Sequence, residues 1–380
     1  MYLEVYNTKL EFIGIIDNFI SLVWNRKYYK SGDFSIKMLL NQTNIDLLQR
    51  DYILYKSDNE AVYIDHRSIS LDNSGEEILE VKGKSLTSFL DRRIIWDQTV
   101  YEGTIEELLR HLVDKNCITT KSERIIPKLN LASAKGYTEY IKWQNTGGNL
   151  LEEIEKICET HGYGFRINFI YETMALEFEV FKGLDRTEGQ QLNDKALFSR
   201  QYENILEQDY IELLGDYKNT CLVAGAGEGI ARKKYAIESG VGLSRYELYV
   251  DARDLSDKEQ KTRVVTDPST GEQKEEQYEV EIPAAIYNQM LLERGQQKLN
   301  ECKEIITFDA TVNIAQDQEN LVYKRDFNLG DIVTIFDDEW QIELNTRITE
   351  IQEIYENSGP AINVIFGSNI PSVYEKLKRR

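Results

Sequence analysis

From Leu3 to about residue 96, apolar side chains recur at every second position in short runs broken by tight turns, a period that only the pleat of a β-strand can use. Leu3, Val5 and Tyr6 open the series. After Asn7-Thr8 come Leu10, Phe12, Ile13, Ile15 and Ile16, and further runs cover 19–29, 33–39, 52–56, 60–71 and 77–83. Asn73-Ser74-Gly75 stands between two alternating runs and predicts a hairpin turn. About six strands so closely spaced predict a small barrel or sandwich.

Near residue 100 the period changes. Thr104-Ile-Glu-Glu107 has the spacing of a capping box, and Ile105, Leu108, Leu109, Leu112 and Val113 then fall on one helical face. A second helix is expected from Asn149, with Leu150, Leu151, Ile154, Ile157 and Cys158 inward and Gly162 as its stop. Phe165, Ile167 and Phe169, then Leu176, Phe178 and Val180, alternate as a hairpin. Strands resume over 196–251. The charged stretch 253–281 carries Asp267-Pro-Ser-Thr-Gly271, which reads as a hairpin tip. A helix follows from Ala284 to about Lys303, with Ile286, Met290 and Leu291, then Leu299 and Cys302, inward; the strand candidates 305–314, 331–336, 341–355 and 361–366 complete the chain.

The fold class expected is α+β, mostly β. Residues 1–99 would form a first β-barrel, completed by strands from 191–220. Residues 100–190 would form an α+β domain, 191–252 with 304–370 a second β-barrel, 253–303 a charged hairpin and helix inserted into it, and 371–380 a basic tail. With 5 prolines and no Gly/Ser tract, these units must join directly. No residue-level repeat relates them.

At 380 residues and 41% hydrophobic the chain can bury a sizeable core without staples. Cys117, Cys158, Cys221 and Cys302 stand singly, which suits a reducing compartment or plain packing. Met1-Tyr-Leu-Glu-Val-Tyr6 lacks the basic start of a secretory signal, and no 18-residue apolar run occurs. A soluble protein made in the cytoplasm, with no membrane insertion, is therefore expected. The net charge is −20, of which −13 falls in residues 191–380. An acid excess of this size opposes a clamp on nucleic-acid phosphates. The basic cluster Lys376, Lys378, Arg379 and Arg380 is too short to offset it.

The chemical motifs are weak. Gly225-Ala-Gly227-Glu-Gly229 follows the apolar Cys221-Leu-Val-Ala, with Asp251 placed like a ribose acid, but the spacing is GxGxG and no amphipathic helix follows. A turn between strands is expected there. Gly83-Lys84-Ser85 imitates the end of a P-loop, yet the position needing glycine is Ile78. His66, His111 and His161 are isolated, without zinc-ligand spacing. No GxSxG elbow occurs, and 65 acidic residues make carboxylate pairs uninformative. No catalytic, cofactor-binding or metal-binding residue is assigned.

Other short segments carry more when taken in order: Trp24…Tyr28…Gly32-Asp-Phe-Ser, Val81-Lys-Gly-Lys-Ser-Leu86, Leu90-Asp-Arg-Arg-Ile-Ile95, Gly147-Gly-Asn-Leu-Leu-Glu-Glu153, Gly183-Leu-Asp-Arg186, Arg245-Tyr-Glu…Val-Asp-Ala-Arg253 and Leu329-Gly-Asp331. This combination resembles a family of tail proteins from phages and prophages of Gram-positive bacteria, similar in turn to the baseplate hub of contractile-tailed phages. The resemblance spans nearly the whole chain. It implies two tail-tube-like β-barrels with smaller inserted domains, and a homotrimeric ring that presents six barrels and adapts a six-fold tube to a three-fold tip. It implies as partners the tail tube or distal tail protein on one side and spike, fibre or lysin components on the other, with receptor-binding or hydrolase work left to another polypeptide. Assembly in the host cytoplasm and residence at the virion tail tip or baseplate, or in a contractile bacteriocin, follow from the same resemblance.

A ring hub needs self-complementary surfaces and edge strands that find partners. Acids of 191–380 lining its lumen would repel DNA and let it or other cargo pass unbound. The alternatives are a monomeric receptor- or carbohydrate-binding tail-tip protein and, behind it, a cell-wall hydrolase.

Overall fold

The computed structural model describes residues 1–71, 74–266, 273–312 and 321–367. Seven strands fill the first region: β1 (Leu3–Tyr6), β2 (Phe12–Ile16), β3 (Phe19–Lys27), β4 (Asp33–Leu39), β5 (Ile53–Ser57), β6 (Glu60–Leu71) and β7 (Glu77–Ser85). The short helix α1 (Gln42–Leu47) between β4 and β5 is absent from the sequence reading; six residues are too few to show a period, and its one signal is the N-cap Asn41, whose side chain accepts from the Asn44 N–H at 2.8 Å. The alternating residues meet as expected: Leu3, Val5, Leu22, Trp24, Ile36, Val62 and Val81 are buried in one core.

The middle region contains β8 (Thr99–Thr104), α2 (Ile105–Val113), β9 (Leu129–Leu131), β10 (Tyr140–Asn145), α3 (Leu150–His161), β11 (Gly164–Ile170) and β12 (Ala175–Phe181). The capping box forms as its spacing predicts, with Thr104 and Glu107 bonding each other's backbone. Asn149 caps α3, and Gly162 ends it at φ 74°, the left-handed conformation that glycine adopts without penalty. The apolar faces of both helices pack on the β11–β12 hairpin through Leu108, Leu112, Ile154, Phe165 and Phe178, all buried.

Then come β13 (Leu197–Phe198), β14 (Ile205–Leu213), β15 (Thr220–Ala224), β16 (Lys234–Ile237), β17 (Glu247–Asp251), the hairpin β18 (Lys258–Thr266) and β19 (Gln273–Glu281), and α4 (Ala284–Asn300). The sheet β16-β15-β17 packs Cys221, Val223 and Val250 on Tyr287, Met290 and Leu291 of α4. The last strands are β20 (Ile305–Val312), β21 (Ile332–Asp337), β22 (Ile342–Glu356) and β23 (Gly359–Gly367). With β13 and β14 they enclose an aromatic core of Phe198, Phe308, Phe327 and Phe366. The tip at Asp267–Gly271, Asn73, the end of the 305–314 run and the 371–380 tail lie outside the described residues.

One relationship dominates the architecture. The N-terminal and C-terminal strands join in a single sheet of order β2-β1-β5-β6-β7-β4-β3-β22-β23-β20-β14, with β21 and β13 attached beside β22. β3 pairs β22 over seven positions, from Ser21↔Glu356 to Lys27↔Glu350. Among the described residues the main path runs between the free edges β2 and β14, with the short β13 ending a side branch, and does not close. The two β-barrels expected from sequence are therefore not seen as closed barrels, and β14 pairs β20 of the C-terminal strands.

Candidate functional site

The β3–β22 seam leads to a junction of three regions. Tyr28, just past β3, is fully buried and donates its hydroxyl to the Gly162 carbonyl at 3.1 Å. Phe181 meets its ring edge-on at 5.4 Å, and the Arg347 guanidinium lies 5.0 Å above it. The ring fits because two glycines leave room: a Cβ on Gly330 would come within 2.3 Å of it, and one on Gly164 within 2.4 Å. Gly183 in turn abuts the Gly330 backbone, where a Cβ would sit 2.0 Å from the carbonyl carbon. The buried Asp331 carboxylate accepts from Leu184 N at 2.8 Å, Arg186 Nε at 2.9 Å and Asn328 N at 2.9 Å. Segments spread through the sequence, Trp24…Tyr28, Gly183–Arg186, Leu329–Asp331 and Arg347, thus converge on one place.

Beside it the seam buries charge. Lys56 lies 2.8 Å from both Glu60 and Glu353, and its ammonium sits 4.9 Å over the Trp24 ring. Arg26 lies 3.4 Å from Glu60 and donates to Tyr323 at 2.5 Å and Asn328 at 3.1 Å. Lys324 bridges Asp58 at 2.7 Å and Glu60 at 3.0 Å, while Tyr323 and Tyr355 donate to Glu353 at 3.2 Å and 2.7 Å. Burial alone would raise the Glu60 carboxyl, but Arg26, Lys56 and Lys324 prevail and hold it at about 2. Three cations face the largely buried Glu60, the buried Glu353 and the exposed Asp58, and these contacts join the two β regions. Lys56, Glu60, Glu353 and Tyr323 were not singled out from sequence; the one signal is that each interrupts or borders an apolar strand run.

A second contact places Asp91–Arg93 against Gly147–Asn149. Asn149 Nδ2 donates to the Asp91 backbone at 3.0 Å and to its carboxylate at 2.8 Å, and Ile95 N reaches Gly148 O at 3.0 Å. On α3, the Glu155 carboxyl accepts from Ser31 N at 3.1 Å and is pushed up to about 7 by burial.

The motifs that imitated chemistry have structural positions. Gly225 lies where a Cβ would meet the Tyr287 hydroxyl at 2.3 Å, and that hydroxyl accepts from Ala226 N at 2.7 Å. Arg232 fills the same loop, donating to Gly225 O at 2.9 Å. Gly225 is a close approach to α4, whereas Gly227 abuts the Ala231 carbonyl and a Cβ on Gly229 would meet nothing within 4 Å. Gly83 faces the Tyr63 carbonyl, 1.9 Å from a would-be Cβ, at the bulge between Ile64 and His66. His66 is exposed, His111 packs on Tyr101 at 5.4 Å, and His161 pairs with Glu293 at 2.8 Å. Among the described residues no three His, Cys, Asp or Glu side chains are grouped to hold a metal, and no helix is long and apolar enough to cross a membrane. Cys117, Cys158 and Cys221 are buried thiols and Cys302 is half-buried.

The family model described as "Siphovirus ReqiPepy6 Gp37-like protein" matches residues 2–368. The chain belongs to that family. The resemblance to phage tail proteins therefore holds. Three solved structures share the fold over almost their full length. The 43 kDa tail protein of prophage MuSo2 from Shewanella oneidensis is 11% identical with a TM-score of 0.58, covering 96% of this chain and 98% of that one. The prophage tail protein gp18 from Listeria monocytogenes is 12% identical with a TM-score of 0.55, covering 100% and 98%. A tail protein from Neisseria meningitidis is also 12% identical at 0.55, covering 97% of each chain. No curated protein matches the chain. At such identities the fold is what is shared, and the mostly β architecture of this family member is that of solved tail proteins.

Proposed function

We propose that this siphovirus-family chain is the structural hub of a phage tail tip or baseplate, three copies forming a ring between the tail tube or distal tail protein and the spike, fibre or lysin components. The observation that carries the reading is the full-length fold shared with prophage tail proteins, together with two separate β cores in one chain. In this reading 1–99 and 191–213 with 304–370 are the two tube-like β units, three copies present six of them, and 220–252 goes with the insertion through its sheet on α4. The α+β region 100–190 and the insertion 253–303 flank the ring. The Tyr28 junction and the Lys56 cluster fix the angle between the units, so that one chain spans two of six tube positions. Acids on strands of 191–380 line the lumen, and DNA passes without binding. The chain carries no chemistry of its own in this role.

Light scattering across a wide concentration range tests the ring, alone and with tail tube protein added. A mass near three times 44.2 kDa is expected. A chain that stays monomeric in both conditions while retaining bacterial cell walls would overturn the hub in favour of a receptor-binding role. Reversing four or more lumen acids to lysine should slow DNA release; unchanged release removes the lumen assignment.

A further inference from the structure

The two free edges of the large sheet differ in character. β2, Phe-Ile-Gly-Ile-Ile, has no charge and no proline, and Phe12, Ile13 and Ile15 are 55%, 41% and 51% exposed. An apolar edge without lysine or proline is a template for another strand, and such edges persist where a partner covers them. Just before β2 stand Lys9 and, packed beside it, Lys128, whose ammonium donates to the Lys9 carbonyl at 3.3 Å. Neither amine has a carboxylate partner among the described residues. Both line a groove of about 610 Å³ together with Leu10, Ile53, Ile126, Asp51, Arg92 and Arg93.

β14, at the opposite edge, is acidic. Residues 203–216 contain Glu203, Glu207, Asp209, Glu212 and Asp216 and no base. Leu206 and Leu214 are 61% and 51% exposed. Asp209 faces Asp309 directly in the β14–β20 register, and Asp309 Oδ1 is buried without a hydrogen-bond partner among the described residues. Like charges opposite each other weaken a sheet unless a cation joins them. Pairing β14 with another β14 would compound the repulsion. The amines this edge lacks are offered beside β2 by Lys9 and Lys128, with Arg92 and Arg93 in the same groove, while Glu11 and Asp17 flank the strand itself.

We propose that copies of this chain associate by strand addition, β14 of one copy along β2 of the next, with Lys9 and Lys128 supplying the cations that the Asp209–Asp309 edge lacks. The idea rests on the ring reading for its biological setting. Nine residues of β14 extend about 30 Å and five of β2 about 17 Å, at roughly 3.3 Å per residue, so β14 overhangs β2. A head-to-tail contact of this kind closes a ring when the rotation between copies allows it.

The test compares the full-length chain with Lys9→Glu/Lys128→Glu, with Ile13→Asp, and with the double charge reversal combined with Asp209→Lys. Thermal melts confirm that each variant folds. Light scattering should show at least a tenfold weaker association for the first two and partial recovery for the third. Folded variants that assemble as the parent does would overturn the contact while leaving the ring intact. If the parent is monomeric, a fluorescent peptide of residues 203–216 is titrated onto it. Binding that the Lys9/Lys128 variant loses supports the contact independently of the ring; no binding overturns it.

Discussion

Lys56 Nζ lies 2.8 Å from both carboxylate oxygens of Glu353, a contact between strands almost 300 positions apart in which both residues are buried. It sits at the one seam, β3 against β22, where the N-terminal and C-terminal strands become a single sheet. A slip of β22 by one residue would turn Glu353 to the other face and leave Lys56 with Glu60 alone, so the pair fixes register as well as proximity.

Breaking that pair on one side should be costly. Lys56→Met leaves the Glu353 carboxylate buried beside two tyrosine hydroxyls, and we expect a loss of about 3–5 kcal/mol in urea unfolding. Lys56→Met with Glu353→Leu should recover most of the loss. Equal destabilisation of the single and double variants would show that shape rather than charge governs the seam.

The Tyr28 junction is tested with a pair of glycines. Gly330 and Gly75 both have positive φ, 93° and 84°, but a Cβ at Gly75 meets nothing within 4 Å. Gly75→Ala should cost about 1 kcal/mol, the backbone term alone. Gly330→Ala adds a clash with a fully buried ring, for a total of about 3–4 kcal/mol. Chemical denaturation of the two variants side by side measures the difference.

Glu155 makes stability depend on pH. Its folded value, about 7, lies above that of an unfolded glutamate, so between about pH 4.5 and 7 the folded state holds a proton the unfolded state has released. Stability therefore falls as pH rises through that window and levels off above it. Glu155→Gln keeps an acceptor for Ser31 N and should flatten this dependence. The gain at pH 8 should be on the order of 1–2 kcal/mol, solvent screening reducing the full effect. Melting curves of both proteins from pH 4.5 to 8 check the slope.

Burial and the facing Asp209 raise the Asp309 carboxyl above its ordinary value, so its charge opposes folding at neutral pH. Asp309→Asn should stabilise the isolated chain by about 0.5–1 kcal/mol, the scale of a cross-strand pair. The same change should weaken self-association if Lys9 and Lys128 are the missing partners. Calorimetry reads the first effect and light scattering the second.

The local elements were legible because their causes are local. Thr104 and Glu107 are three residues apart and bond each other, Asn149 and Gly162 bracket one helix, and the alternation of Leu3, Val5, Leu22 and Trp24 needs only the pleat. The ordered segments that carried the family resemblance were legible too, without a reason for their residues. That reason is tertiary: Gly183 and Gly330 are small because one tyrosine ring and one backbone must fit between them and Gly164, and Asp331 is acidic because three N–H groups from two segments point at it. The Lys56, Glu60 and Glu353 cluster was hidden for a related cause. A charged residue in a strand reads as solvent-facing until its partner is known, and here the partner comes from the opposite end of the chain. Sequence by itself determined most of the longer strands and helices, though not α1, β8, β9 or β10, and what family they compose. Only the tertiary structure decided which strands share a sheet, which charges are buried together and which edges stay open, because strand pairing is a long-range choice that local periodicity does not encode.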